Sequence, residues 1–144
     1  MSLADEKTLV RRFYEEAWDR GAFDVVDGLF APDYVRHDFR AGAVADGPQG
    51  QKDIVVAFRA AFPDLRFSVD FVLGDGDLVA GRWTATGTNT GVWNGMEPTG
   101  RSVTFSGINV FRFADGKVVE LWNHRDDLGL MQQLGIPTSP GAAE

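Results

Sequence analysis

Apolar residues recur four apart at Leu9, Phe13 and Ala17, with Arg12 and Glu16 on a different face, so the spacing predicts an amphipathic helix from about Ala4 to Arg20. Trp18 closes the apolar stripe and Gly21 is a natural stop. A second helical turn carries Phe23, Val26, Leu29 and Phe30 and breaks at Ala31-Pro32-Asp33. Tyr34 to Phe39 reads as a short extended stretch. The Gly-, Ala-, Asp- and Pro-rich segment from Arg40 to Gly50 reads as an exposed loop, a candidate lid or rim. Ile54, Val55, Phe58 and Ala61 return to helical spacing over Gln51–Phe62.

After Pro63-Asp64 the period changes from about 3.6 to 2. Phe67, Val69, Phe71 and Leu73 alternate with Arg66, Ser68 and Asp70, as in a half-buried strand. Gly74 to Asp77 is a turn, Leu78–Thr88 a second strand, and Asn89–Gly100 an irregular Gly/Pro-punctuated connection. Strand Arg101–Phe113 places Val103, Phe105, Gly107, Asn109, Phe111 and Phe113 on one face. Ala114-Asp115-Gly116 makes a hairpin turn into a last strand, Lys117 to about Arg125. A short helix, Leu128–Leu134, follows, and residues 137–144 read as a flexible tail. Helices first and an antiparallel meander second define an α+β class. A curved antiparallel sheet wrapped over N-terminal helices encloses a pocket, and residues 1–144 form one domain of ordinary size.

Composition narrows the partners. A net charge of −7 excludes the basic footprint that nucleic acid or an anionic membrane requires. The chain has no cysteine, which removes disulfides, thiolate nucleophiles and Cys-bound metals. The first residues lack the basic-then-apolar pattern of a signal peptide, and a cytoplasmic protein is expected. Eleven Phe and four Trp exceed what a minimal core needs, so some rings are expected to line a cavity for a small hydrophobic or aromatic molecule.

Several stretches in this order resemble the SnoaL-like polyketide cyclases of the NTF2-like superfamily. They are Tyr34-Val35-Arg36-His37-Asp38, Phe62-Pro63-Asp64, Gly87-Thr88-Asn89-Thr90-Gly91, Pro98-Thr99-Gly100-Arg101, the run Gly107 to Trp122, and Asp126-Asp127-Leu128-Gly129-Leu130 with Gln132-Gln133-Leu134-Gly135. The resemblance implies an NTF2-like cone, a homodimer, and no metal or organic cofactor. It also implies intramolecular aldol ring closure of a polycarbonyl aromatic substrate, with a pocket aspartate as acid/base. Asp126 matches that aspartate by its place in the motif, with Asp127 more suited to capping the following helix. Where relatives often carry His, this chain has Asn89. The fold also hosts isomerases, hydrolases and non-catalytic proteins that bind a small hydrophobic ligand, so those readings stay open.

The residues themselves can support such chemistry. Glu120, Trp122, His124 and Asp126 share one face of the last strand, suited to a pocket wall or a subunit interface, and Val119, Leu121, Asn123 and Arg125 share the other. An aldol closure needs a base and a donor for the developing oxyanion, and Asp126, His37 and His124 are the catalytic candidates. The competing role for Asp126 is the N-cap of the terminal helix. Trp18, Arg82, Asn89, Asn109 and Trp122 are the candidate substrate contacts. For Arg82 an outer-face ion pair is an equal alternative, and a buried amide such as Asn109 must be hydrogen-bonded. The two histidines lack a metal-ligand spacing, so no metal is expected.

Overall fold

The computed structural model describes residues 1–38 and 47–137. Helix α1 spans Leu3–Arg12 and starts in a capping box: the Ser2 hydroxyl accepts from the Asp5 N–H while the Asp5 carboxylate accepts from the Ser2 N–H. The same helix then widens into a π turn over Phe13–Trp18, closed by the Asp19 N–H on the Tyr14 carbonyl at 3.0 Å. A π turn brings residues five apart toward one side, here Phe13 and Trp18. Nothing in the apolar spacing distinguishes this turn from ordinary helix.

The chain continues through α2 (Asp24–Leu29), β1 (Phe30–His37), α3 (Gly47–Ala61), β2 (Arg66–Asp75), β3 (Leu78–Thr88), β4 (Ser102–Ala114), β5 (Lys117–Arg125) and α4 (Asp127–Leu134). The strands form one curved, unclosed sheet in the order β1-β5-β4-β3-β2, antiparallel throughout except for the parallel pair β1-β5. The α+β class and the strand meander stand as read from the sequence. Helix α2 ends at Leu29, just before Ala31-Pro32-Asp33 as expected, and β1 runs on through Pro32 with an irregular ladder to β5 between Phe30 and Val35. The part of the expected loop and lid that covers residues 39–46 lies outside the described residues, and from Gly47 the chain is already helical. Most of the tail expected over 137–144 lies outside them as well.

Two bulges decide which side chains face inward. In β2 the register shifts between Val69 and Phe71, so the alternation flips. Phe67 is buried and Val69 half-buried, but Phe71 and Leu73 turn outward and are 45% and 59% exposed. The single alternating face expected over Phe67–Leu73 is therefore split. In β5, Glu120 pairs with Arg112 and Val118 with Phe113, leaving Val119 as the extra residue. Beyond that bulge Leu121, Asn123 and Arg125 point to the concave side, in phase with the odd-numbered residues of β3 and β4.

The core fills the space between the concave face and the helices. Phe13, Tyr14 and Ala17 of the first helix and Phe58, Ala61 and Phe62 near the end of α3 pack against Val79, Trp83, Phe105, Phe111 and Leu121. Two glycines make that packing possible. A Cβ on Gly81 would stand 2.5 Å from the Tyr14 ring, and one on Gly107 would stand 2.5 Å from Trp83. The hairpin between β4 and β5 turns on Asp115 and Gly116, at φ +51° and +77°, the signature of a type I′ turn.

Asp64 staples the end of α3 to β3. Its carboxylate accepts from the Thr88 backbone N–H at 2.7 Å and from the Thr88 hydroxyl at 2.8 Å. These bonds hold the carboxyl below its ordinary value of 3.8. A lowered folded-state value stabilises the fold at neutral pH, and that contribution is lost as the pH falls from the ordinary value through the lower one. The melting temperature of the native chain should exceed that of Asp64→Asn most at neutral pH, and the gap should close below about pH 4. A gap independent of pH would show that the carboxylate charge contributes nothing.

Candidate active site

A cavity opens on the concave side of the sheet under α3. Phe13, Trp18, Phe58, Phe67, Trp83 and Phe105 supply its aromatic walls, and Arg36, Gln51, Asn109, Asn123 and Arg125 its polar groups. Trp18, Phe67 and Trp83 form a continuous stack, with centroids 5.2 and 4.5 Å apart at 19° and 29°. The cavity is partly open, and its free volume is about 20 Å³, room for one or two water molecules.

A chain of hydrogen bonds crosses the floor of this cavity, and its direction is fixed by chemistry. The Trp83 indole can only donate, so its N–H, 2.9 Å from Asn109 Oδ1, sets the orientation of that amide. The Tyr14 hydroxyl donates to the same oxygen at 2.8 Å. Burial pushes the Tyr14 phenol well above its ordinary 10.0, so it remains a donor at any working pH. Asn109 Nδ2 then donates to Asn123 Oδ1 at 2.7 Å, and Asn123 Nδ2 donates to Asp38 Oδ2 at 3.1 Å. Arg36 reaches the same carboxylate oxygen at 3.5 Å and donates to Gln51 at 3.4 Å. The chain ends on a carboxylate that is held as an acceptor. Each amide uses one N–H in the chain, and among the described residues no further acceptor takes the other.

Alternation along β1 explains why these groups meet. Tyr34 is buried, so Arg36 and Asp38 fall on the same concave side, and Arg36 pairs in register with Leu121. Tyr34 was the available signal: counting by two from it points to Arg36 and Asp38, whereas the eye goes to the histidine between them. On β5 the same counting from Leu121 gives Asn123 and Arg125.

The residues singled out from sequence divide between this cavity and the rest of the molecule. Trp18 and Asn109 line it. The face of β5 that carries Glu120, Trp122 and His124 lies on the convex side instead. There His37 stacks on Trp122 at 5.0 Å and pairs with Glu120 at 2.9 Å, while Arg112 bonds the other Glu120 oxygen at 3.0 Å. The His37 hydrogen bond is the main cause holding the Glu120 carboxyl below its ordinary 4.5. His124 is exposed on the same convex face. Arg82 takes the outer-face alternative, paired with Asp70 at 2.5 Å. Asn89 is buried away from the cavity, where it accepts from the backbone and hydroxyl of Thr99 and donates to the carbonyls of Ala61 and Gly91. It pins the irregular connection. Asp126 is exposed and caps α4: its carboxylate accepts from the Gly129 N–H at 2.9 Å, and a Cβ on Gly129 would meet that carboxylate at 2.3 Å. Asp127 instead pairs with Arg125 at 2.5 Å. Among the described residues no group of three or more His, Asp and Glu converges as a metal site.

The family model described as SnoaL-like polyketide cyclase matches residues 8–134. The chain belongs to the SnoaL-like polyketide cyclase family. Its fold is the NTF2-like one seen in solved relatives. TsrD from Streptomyces laurentii is 26% identical, with a TM-score of 0.85 over 95% of this chain and 99% of that one. AclR from Streptomyces galilaeus, titled as a proposed hydroxylase, is 30% identical, with a TM-score of 0.81 over 99% and 88%. IdmH from Streptomyces antibioticus, titled as a proposed polyketide cyclase, is 31% identical, with a TM-score of 0.77 over 91% and 99%. No curated protein matches the chain. No helix among the described residues is long and apolar enough to cross a membrane.

Asn109→Leu would strand the buried Trp83 indole N–H at about 1–3 kcal/mol and leave the Tyr14 hydroxyl only its longer 3.4 Å contact with the Gly81 carbonyl. Urea unfolding should therefore show a loss of about 1–3 kcal/mol. A loss under about 1 kcal/mol would mean that both donors find other partners.

Proposed function

We propose that this SnoaL-like chain is a cofactor-independent acid/base enzyme that closes a ring in a polycarbonyl aromatic substrate, with Asp38 as the acid/base. The observation that supports this reading is the oriented chain from Trp83 through Asn109 and Asn123, which line the aromatic cavity, to Asp38 beyond its lining. Its terminus is the Asp38 carboxyl group, which accepts from Asn123 and pairs with Arg36 and, in this reading, takes a proton from a carbon between two carbonyls. The resulting enolate carbon attacks a second carbonyl of the same molecule, so that one C–C bond forms and one C=O π bond becomes an alkoxide. Asp38 returns its proton to that alkoxide and the cycle closes with no net oxidation. The second N–H of Asn109 and of Asn123 can bind the oxygen on which charge develops. The free space holds only one or two waters, so in this reading the rings at the cavity mouth move aside and stack on the planar substrate as it enters.

Asp126 plays a helix-capping part in this reading, and His37 and His124 serve the convex face. Asp38→Asn keeps shape and removes the base, so turnover of a polycarbonyl substrate that the native chain cyclises should fall by ~10²–10⁴. Asp126→Asn preserves a favoured N-cap, so turnover and folding should both hold. The reverse pattern, with Asp126→Asn inactive and Asp38→Asn active, would return the chemistry to the C-terminal motif. Ligand binding with no turnover by the native chain would leave a binding protein.

The homodimer that the family resemblance implies has a physical basis in the convex face. Phe71, Arg82, Ile108 and His124 form one cross-strand row, and Leu73, Ala80, Val110, Trp122 and His37 the next. Ile108, 44% exposed, lies near the centre of this mixed surface, where Phe71 and Leu73 are also exposed. Ile108→Glu should convert a dimer to a monomer of unchanged helix content, read by light scattering and circular dichroism. A native chain that is monomeric at high concentration would contradict this arrangement.

A further inference from the structure

The cavity that the proposed function uses is filled by one of its own walls. Among the aromatic side chains that line it, Phe13, Phe58, Phe67, Trp83 and Phe105 are buried, and Trp18 is the partly exposed one. Trp18 is the outermost ring of the stack, 5.2 Å from Phe67 at 19° and edge-on to Phe58 at 5.8 Å. Moving it forfeits those ring contacts, whereas moving Trp83 would also remove the N–H that orients Asn109. With Trp18 turned out, its vacated place would be an indole-sized, aromatic-walled space, on the order of the ~150 Å³ that takes up benzene.

The backbone under this ring is fixed. Arg59 Nη1 donates to the Trp18 carbonyl at 2.9 Å and to the Asp19 carbonyl at 3.0 Å. The Asp19 carboxylate accepts from the Phe67 N–H at 2.8 Å, which ties this end of the helix to β2. Gly21, at φ +71°, leaves room for the clamp, since a Cβ there would stand 3.0 Å from Arg59 Nε. The π turn over Phe13–Trp18 ends on this clamp, and its extra residue sets the direction in which Trp18 points. With its Cα held, the ring leaves the stack only by rotation about its own side-chain bonds.

We infer that Trp18 is a door to the cavity, and that the place its indole takes on Phe67 is the seat of a planar aromatic ligand. This rests on the cavity being the ligand site, and it adds how that site is filled. The ligand ring replaces the indole and does not enter the small residual volume. Until it does, the protein is its own ligand, and the door competes with binding. A door open in ~1–10% of molecules weakens the apparent affinity ~10–100-fold relative to a seat that is always open. Rotation of one side chain leaves the clamp on Arg59 and the row from Trp83 to Asn123 in place, so the polar groups of the cavity meet the ligand already oriented.

Two measurements with 2-naphthol test this without needing turnover. In calorimetry, Trp18→Ala should bind 2-naphthol at least ~10-fold more tightly than the native chain, because the competing ring is gone. Trp18→Phe, with a smaller ring in the same seat, should fall between the two. The second measurement uses the native chain labelled with 5-fluorotryptophan, in which the Trp18 fluorine signal is the one that Trp18→Phe removes. On saturation with 2-naphthol that signal should gain the water-to-heavy-water shift of a solvent-exposed indole. Naphthol held no more tightly by Trp18→Ala than by the native chain overturns the inference. So does a Trp18 indole that stays as buried in the naphthol complex as in the free chain, and this second result decides alone if Trp18→Ala does not fold. Because no reaction is involved, the outcome stands apart from the Asp38 turnover test. A door that opens on a chain without turnover would fail the enzyme reading alone, and cyclisation with Trp18 unmoved would fail the door alone.

Discussion

One row of hydrogen bonds organises the inside of this molecule. It begins at an indole that can only donate, passes through two side-chain amides, and ends at a carboxylate that can only accept while ionised. Each member forces the orientation of the next, so neither Asn109 nor Asn123 can flip without stranding a buried donor. An amide row of this kind is costly when incomplete and rigid when complete. Its completeness explains how two asparagines and a tyrosine hydroxyl sit among phenylalanines near the base of the cone.

The sheet's register is what makes that row possible. Asn109 and Asn123 are direct cross-strand partners, so their amides meet without any loop having to bring them together. The bulge at Val119 sets the phase of β5, and a strand without it would send Asn123 and Arg125 outward. Glycine at positions 81 and 107 leaves the space that the Tyr14 and Trp83 rings fill. The π turn in the first helix brings Phe13 and Trp18 toward the same cavity. Small backbone irregularities, more than the identity of any one polar residue, place the polar groups inside.

The order of elements was legible because apolar spacing changes cleanly from helical to alternating at Pro63-Asp64, and because Asp115-Gly116 marks a hairpin. The odd-numbered face of β4 could be read directly, Asn109 included. The site was less legible for a physical reason. Parity on a strand says which residues share a face, never which face is concave, and the polar, aromatic face of β5 looked more like a pocket than the face that makes one. The bulges in β2 and β5 have no residue signature, so Phe71 and Leu73 could not be seen turning outward. Motif position favoured Asp126, where an aspartate before a helix has a local use as its cap. Arg36 and Asp38 were hidden by a shift of one residue, on the inward side of the strand whose outward side carries His37.

The account places ligand chemistry on the concave side of the sheet. The most direct test is a crystal structure of the native chain soaked with a planar aromatic molecule such as 2-naphthol. The expected result is a ring at the concave cavity, packed on its aromatic walls after they move to admit it, with an oxygen on the Asn109 or Asn123 amide. A ligand seated instead against Trp122, His124 and Asp126, with the concave cavity unchanged, would contradict it.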